Sequence, residues 1–77
     1  MKAYLYLYDK YEKLTLTLPE VCQELSLAVG TAHNMISMKK FPIPTRKVGR
    51  NLMADIRDLG EYFDRERQQA REAFEKR

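Results

Sequence analysis

Only one cysteine, Cys22, and one histidine, His33, occur in the 77 residues. A lone thiol excludes an internal disulfide and a cysteine-rich zinc site, and with one imidazole a metal cage would have to rest on carboxylates. Cys22 and His33 fall on different expected helices, and neither paired carboxylates nor a glycine-rich phosphate loop occurs. No enzyme, catalytic residue, metal or cofactor is therefore expected. The longest apolar run, residues 4–8, is far too short to span a bilayer, and no signal-peptide pattern precedes it. A cytoplasmic location without a membrane partner is the expectation. Length allows one small domain, which buries only about 60% of its unfolded surface.

Charge is present but modest in sum: the formal net charge is +3. Its distribution says more. Between residues 39 and 54 stand Lys39, Lys40, Arg46, Lys47 and Arg50 with no acidic residue among them, while charges nearly balance on either side. A cationic patch on a mixed background is the footprint expected for contact with phosphates.

Local patterns place that patch in a mainly α-helical domain with a small β-hairpin. Tyr4, Leu5, Tyr6, Leu7, Tyr8 and Tyr11 favour an N-terminal strand, with a short helix as the alternative, and 10–13 reads as a turn. Thr17-Leu18-Pro19-Glu20 has the spacing of a capping box with proline in the first turn. Leu18, Val21, Cys22 and Leu25 then form one buried stripe, with Cys22 as a small core residue. After a break at Ser26-Leu27, a second helix spans roughly 28–38, starting at Ala28 or only near Thr31, with Ala32, Met35 and Ile36 inward. Two short helices joined by a tight turn make a helix-turn-helix, whose second helix enters the major groove.

Phe41-Pro42-Ile43-Pro44 ends that helix. Residues 45–53 read as two strands around a bend at Gly49-Arg50-Asn51, with Val48 and Leu52 or Met53 facing inward. A hairpin with a basic tip after a recognition helix is a wing. Asp55 caps a last helix packed through Ile56, Leu59, Phe63 and Tyr62, with Asp58 in its first turn. Residues 64–77 form a charged helical extension with Glu61/Arg65, Arg71/Glu75 and Glu72/Lys76 at i,i+4 spacing. That tail reads as solvent-exposed, or as a partner-binding element because Phe74 has no obvious core to join.

In this order, Leu16-Thr17-Leu18-Pro19-Glu20-Val21, Glu24-Leu25, Phe41-Pro42-Ile43-Pro44, Val48-Gly49-Arg50, and Asp58-Leu59 with Tyr62-Phe63 resemble the excisionase/AlpA class over residues 15–63. Tyr11 before Leu14, Val21-Cys22 and the run Asp58-Leu59-Gly60-Glu61-Tyr62-Phe63-Asp64 also resemble prophage regulators of the pyocin-activator type. The resemblance implies a MerR-like winged helix-turn-helix that binds cooperatively on adjacent sites and bends DNA. It also implies service as a recombination directionality factor beside an integrase, as a transcriptional regulator acting on RNA polymerase, or both. Ala28 and Val29 stand where the class commonly has serine and arginine.

On this reading residues 1–77 form one domain, with a core over 15–63 and an extension over 64–77. Gly30, Thr31, His33, Asn34 and Ser37 are the base-contact candidates. Asn34 suits adenine, His33 either donates to DNA or borders the core, and Gly30 and Thr31 let the helix approach a phosphate. Lys39, Lys40, Arg46, Lys47 and Arg50 are the phosphate and wing candidates, with Arg50 alternatively in the minor groove. A protein-interaction module or anti-repressor using the same fold without DNA is the competing function.

Overall fold

The reciprocal cap expected at Thr17 is present in the computed structural model, which describes residues 2–76. The Thr17 hydroxyl accepts from the Glu20 amide at 3.4 Å, and the Glu20 carboxylate accepts from the Thr17 amide at 2.9 Å. Behind it run α1 (Ala3–Tyr11) and β1 (Thr15–Thr17); from it start α2 (Leu18–Leu25), α3 (Val29–Ser37), β2 (Arg46–Val48), β3 (Asn51–Asp55) and α4 (Ile56–Glu75). Among the described residues, four helices thus accompany a three-stranded antiparallel sheet of order β1-β3-β2, with α2 and α4 packed on it.

Alternation along β3 decides which side of the sheet is core. Leu16 pairs with Ala54, and both are buried. Directly opposed residues share a face, so Leu16, Ala54 and Leu52 point to the helices. Two buried clusters result. Leu7, Leu16, Val21, Ile43, Ala54, Ile56 and Leu59 form the larger, and Leu18, Cys22 and Ala32 the smaller, which joins α2 to α3. Ser26, in the left-handed region at φ 58°, ends α2 and turns the chain towards α3.

Three local expectations need correction. The N-terminal aromatic segment is the helix α1, not a strand, and it takes in Lys10 and Tyr11 of the turn expected over 10–13. Its Leu7 is fully buried, while Tyr4, Leu5, Tyr6 and Tyr8 are exposed. What decides its conformation lies far along the chain: α1 packs on α4 at Gly60, and Asp64 accepts a hydrogen bond from the Ala3 amide at 3.2 Å. Val48 is exposed rather than inward, because it pairs with Asn51 and shares the sheet face turned away from the helices. Asn51 belongs to β3 and not to the bend, which is only Gly49-Arg50.

Other boundaries fall as expected. α3 begins at Val29, with Ala28 as its cap residue, and α4 is capped by Asp55, which accepts from the Arg57 amide at 2.8 Å. α3 stops at Ser37, ahead of the prolines: Lys39 takes a left-handed φ of 58°, and the Lys40 amide donates to the Met35 carbonyl at 2.7 Å. Beyond Asp64, α4 is exposed through Lys76. Of the three charge pairs expected along it, Arg71–Glu75 is within ion-pair distance, at 3.7 Å, among the described residues. Glu72 instead accepts from Gln68 at 3.1 Å.

Candidate nucleic-acid interface

Ala32 sets the orientation of α3. It is completely buried against Leu18 and Cys22, so the helix cannot rotate without opening that contact. The opposite side is therefore presented to solvent: Gly30, Thr31, His33, Asn34 and Ser37 are all exposed, and Met35 and Ile36 are half-buried at the flanks. His33 therefore does not close the core. Among the described residues, none of the four side chains Thr31, His33, Asn34 and Ser37 has an intramolecular hydrogen-bond partner. A methyl added at Gly30 would meet nothing within 4 Å, so this glycine answers no packing need inside the protein.

The hairpin is built by a two-residue turn. Gly49 takes φ 62° while Arg50 does not have positive φ, the sign pattern of a type II′ turn, whose first central position favours glycine. Arg50 is thereby carried to the tip. Pairing places Lys47 opposite Leu52, on the face of the sheet that packs against the helices, and Arg46 opposite Met53 on the other face. The two cations lie on opposite sides of the hairpin.

One groove joins these elements. Val29 and His33 of α3, Arg50, Asn51 and Leu52 of the hairpin, and Thr17, Leu18 and Pro19 at the start of α2 enclose about 210 Å³. Its lining combines the apolar Leu18, Pro19, Val29 and Leu52 with the polar Thr17, His33, Arg50 and Asn51. The structure thus brings His33 and Arg50 together, with the exposed face of α3 adjoining. Lys39 and Lys40 stand past the other end of α3, outside the groove, and Arg46 lies outside it too. Asn51 was not among the expected contacts; recognising the tight two-residue turn in sequence would have placed it in the strand. Larger depressions, about 470 and 660 Å³, lie along α4 and away from the cationic stretch.

Electrostatically the cations are uncommitted. Lys39, Lys40, Arg46, Lys47 and Arg50 take part in no ion pair among the described residues. The nearest acid in sequence, Asp55, is held by Arg57, whose Nε and Nη2 donate to its two oxygens at 2.9 and 2.6 Å. Those hydrogen bonds, the Arg57 amide and charge, and the field of Arg46 pull the Asp55 carboxyl down to about 2 against the cost of burial. Arg46 feels this carboxylate but does not bond it.

Elsewhere the titratable groups serve structure. Glu24 accepts from Lys10 and from the Tyr11 hydroxyl, each at 2.7 Å, tying α1 to α2. The Cys22 thiol is buried, and burial raises its pKa. No cluster of metal-ligating side chains, and no helix long and apolar enough to cross a membrane, occurs among the described residues. No family model, curated protein or solved structure matches the chain.

Proposed function

We propose that the chain is a sequence-specific double-stranded DNA-binding protein with a winged helix-turn-helix. In this reading α2 and α3 are the helix pair, α3 the recognition helix and the β2–β3 hairpin the wing. One observation carries it: an acid-free stretch follows the exposed face of α3 and holds five exposed cations, none in an ion pair among the described residues, and Arg50 and His33 share a groove between helix and hairpin. Cations at the edges suit phosphates, and neutral hydrogen-bonding groups between them suit base edges. The resemblance to excisionase/AlpA and pyocin-activator proteins adds the setting. It suggests a cytoplasmic prophage or mobile-element protein, an excisionase, a transcriptional regulator or both, bending DNA cooperatively. Partners would be further copies on adjacent sites and an integrase or RNA polymerase. No catalytic step is assigned to it.

Salt dependence tests this. If all five cations neutralise phosphates, log affinity against log salt has a slope of about −4.5. Arg46→Ala with Lys47→Ala should weaken binding to every duplex and flatten the slope by about 2. Absence of salt-dependent binding to any duplex near physiological ionic strength refutes the proposal.

A protein-interaction role without DNA is favoured by one specific feature, the outer face of α1. Tyr4, Leu5, Tyr6 and Tyr8 are 39–50% exposed there, and exposed aromatics are typical of protein contacts. Tyr6→Ser with Tyr8→Ser separates the readings: it abolishes function under the second and leaves duplex affinity unchanged under the first.

A further inference from the structure

α3 carries no arginine, lysine, aspartate or glutamate along its whole length, Val-Gly-Thr-Ala-His-Asn-Met-Ile-Ser. Direct reading of a G·C pair in the major groove relies chiefly on arginine or lysine at guanine O6 and N7, or on a carboxylate at cytosine N4. α3 offers none of these. At the centre of its outward face it offers Asn34, whose amide oxygen accepts from adenine N6 while its amide nitrogen donates to N7, a bidentate pair. One turn earlier Gly30 presents no side chain and no obstacle, which lets the backbone come close to the bases. Beside Asn34 stand the exposed Thr31 and, 58% exposed, Met38, whose methyl groups suit the thymine C5-methyl. His33 lines the groove that Arg50 also lines.

Arg50 supplies a second, independent observation. It is the cation at the tip of the hairpin and the one that lines the groove. A·T-rich tracts have a narrow minor groove whose negative potential attracts an inserted arginine. Both surfaces therefore favour the same base pairs through different grooves.

We infer that the target duplex is A·T-rich, with Asn34 reading adenine, Thr31 and Met38 contacting thymine methyls, and Arg50 entering an adjacent narrow minor groove. This inference rests on the DNA-binding reading above.

The test selects bound duplexes from a random pool with the whole chain and locates the bound segment by footprinting. A·T pairs should be fixed at the positions facing α3 and next to them, where the hairpin lies. Analogue duplexes then separate the grooves. Inosine·cytosine keeps the minor-groove pattern of A·T but presents a G·C-like major groove. It should cost about tenfold or more in affinity at the adenine facing Asn34 and little at the Arg50 site. Deoxyuridine in place of thymidine removes only the methyl and should cost up to about fourfold per contacted base. Asn34→Ala should erase the inosine penalty at its own position.

Selection of G·C pairs facing α3, or an inosine penalty unaffected by Asn34→Ala, overturns the inference while leaving DNA binding intact. A chain that retains no duplex removes the DNA reading and the inference together.

Discussion

Replacing Gly60 with alanine should destabilise the protein, although alanine is the better helix former. A methyl at this position would lie 2.7 Å from the Tyr4 backbone nitrogen, 2.9 Å from its Cβ and 3.0 Å from its Cα. Two of these are main-chain atoms of α1, which no rotamer change can move aside. Reaching ordinary contact at 3.4 Å requires α1 to retreat by roughly 0.7 Å. The bond from the Ala3 amide to Asp64, already 3.2 Å, would stretch beyond useful length. A gap of this size beside the fully buried Leu7 forfeits about a quarter to a half of the dispersion energy on that side. Overpacking of this kind costs about 1–3 kcal/mol, and the propensity gain of alanine offsets up to about 1 kcal/mol. The net expectation is a loss of about 1–2 kcal/mol, which lowers Tm by roughly 5–15 °C for a domain of this size.

Gly30→Ala is the internal control. It is the same substitution in a helix, but the added methyl meets nothing within 4 Å. Here the propensity term stands alone and stability should rise by up to about 1 kcal/mol. Urea and thermal unfolding followed by far-ultraviolet circular dichroism would measure both variants. The reasoning about α1 fails if Gly60→Ala is as stable as the parent, or if the two variants shift the same way.

Three further outcomes are expected. Gly30→Ala, while stabilising, should weaken binding to a specific duplex, since it places a methyl on the outward face of α3; unchanged affinity in a titration would show that the helix does not approach the bases there. Gly49→Ala forces an alanine to φ 62°, at a cost of about 1–3 kcal/mol; a melt no lower than that of the parent would remove the strained turn. Stability should also fall on acidification. Burial pushes Glu24 and Glu20 upward, but their hydrogen bonds from Lys10 and Tyr11, and from Thr17 and Lys13, outweigh it and hold both below the ordinary value. Hydrogen bonds from Arg57 hold Asp55 at about 2. A folded-state pKa below the unfolded one contributes stability above the unfolded value and loses it as pH falls through the folded value. The loss should therefore run from about pH 5 down to about pH 2, with Asp55 contributing at most about 2 kcal/mol before screening of its exposed partner. Asp55→Asn keeps a capping oxygen yet should flatten this acid limb; identical pH profiles of the urea midpoint would count against the ion pair.

The contrast between the two ends of the chain shows what can be read from sequence. α2 was legible because its determinants lie within eight residues: Thr17 and Glu20 close the cap, and Leu18, Val21 and Cys22 fall on one face. The exposed face of α3 followed from Ala32, since a single small buried residue dictates what lies opposite it. α1 was not legible as a helix, because its tyrosines favour strands locally and what overrides them is 56 to 61 residues away, at Gly60 and Asp64. Val48 was misplaced for a related reason: alternation gives the period of a strand, but which parity faces inward is set by pairing with β3. The candidate interface draws on both kinds of information. Its helix face is a local consequence of the core stripe, whereas the groove that His33 and Arg50 both line depends on a hairpin turn whose positive φ glycine adopts without strain. A substitution at Gly49 should therefore separate the two. On the proposed DNA-binding reading it would move Arg50 and alter the salt dependence, while Asn34, anchored through Ala32, would keep the adenine preference inferred for it.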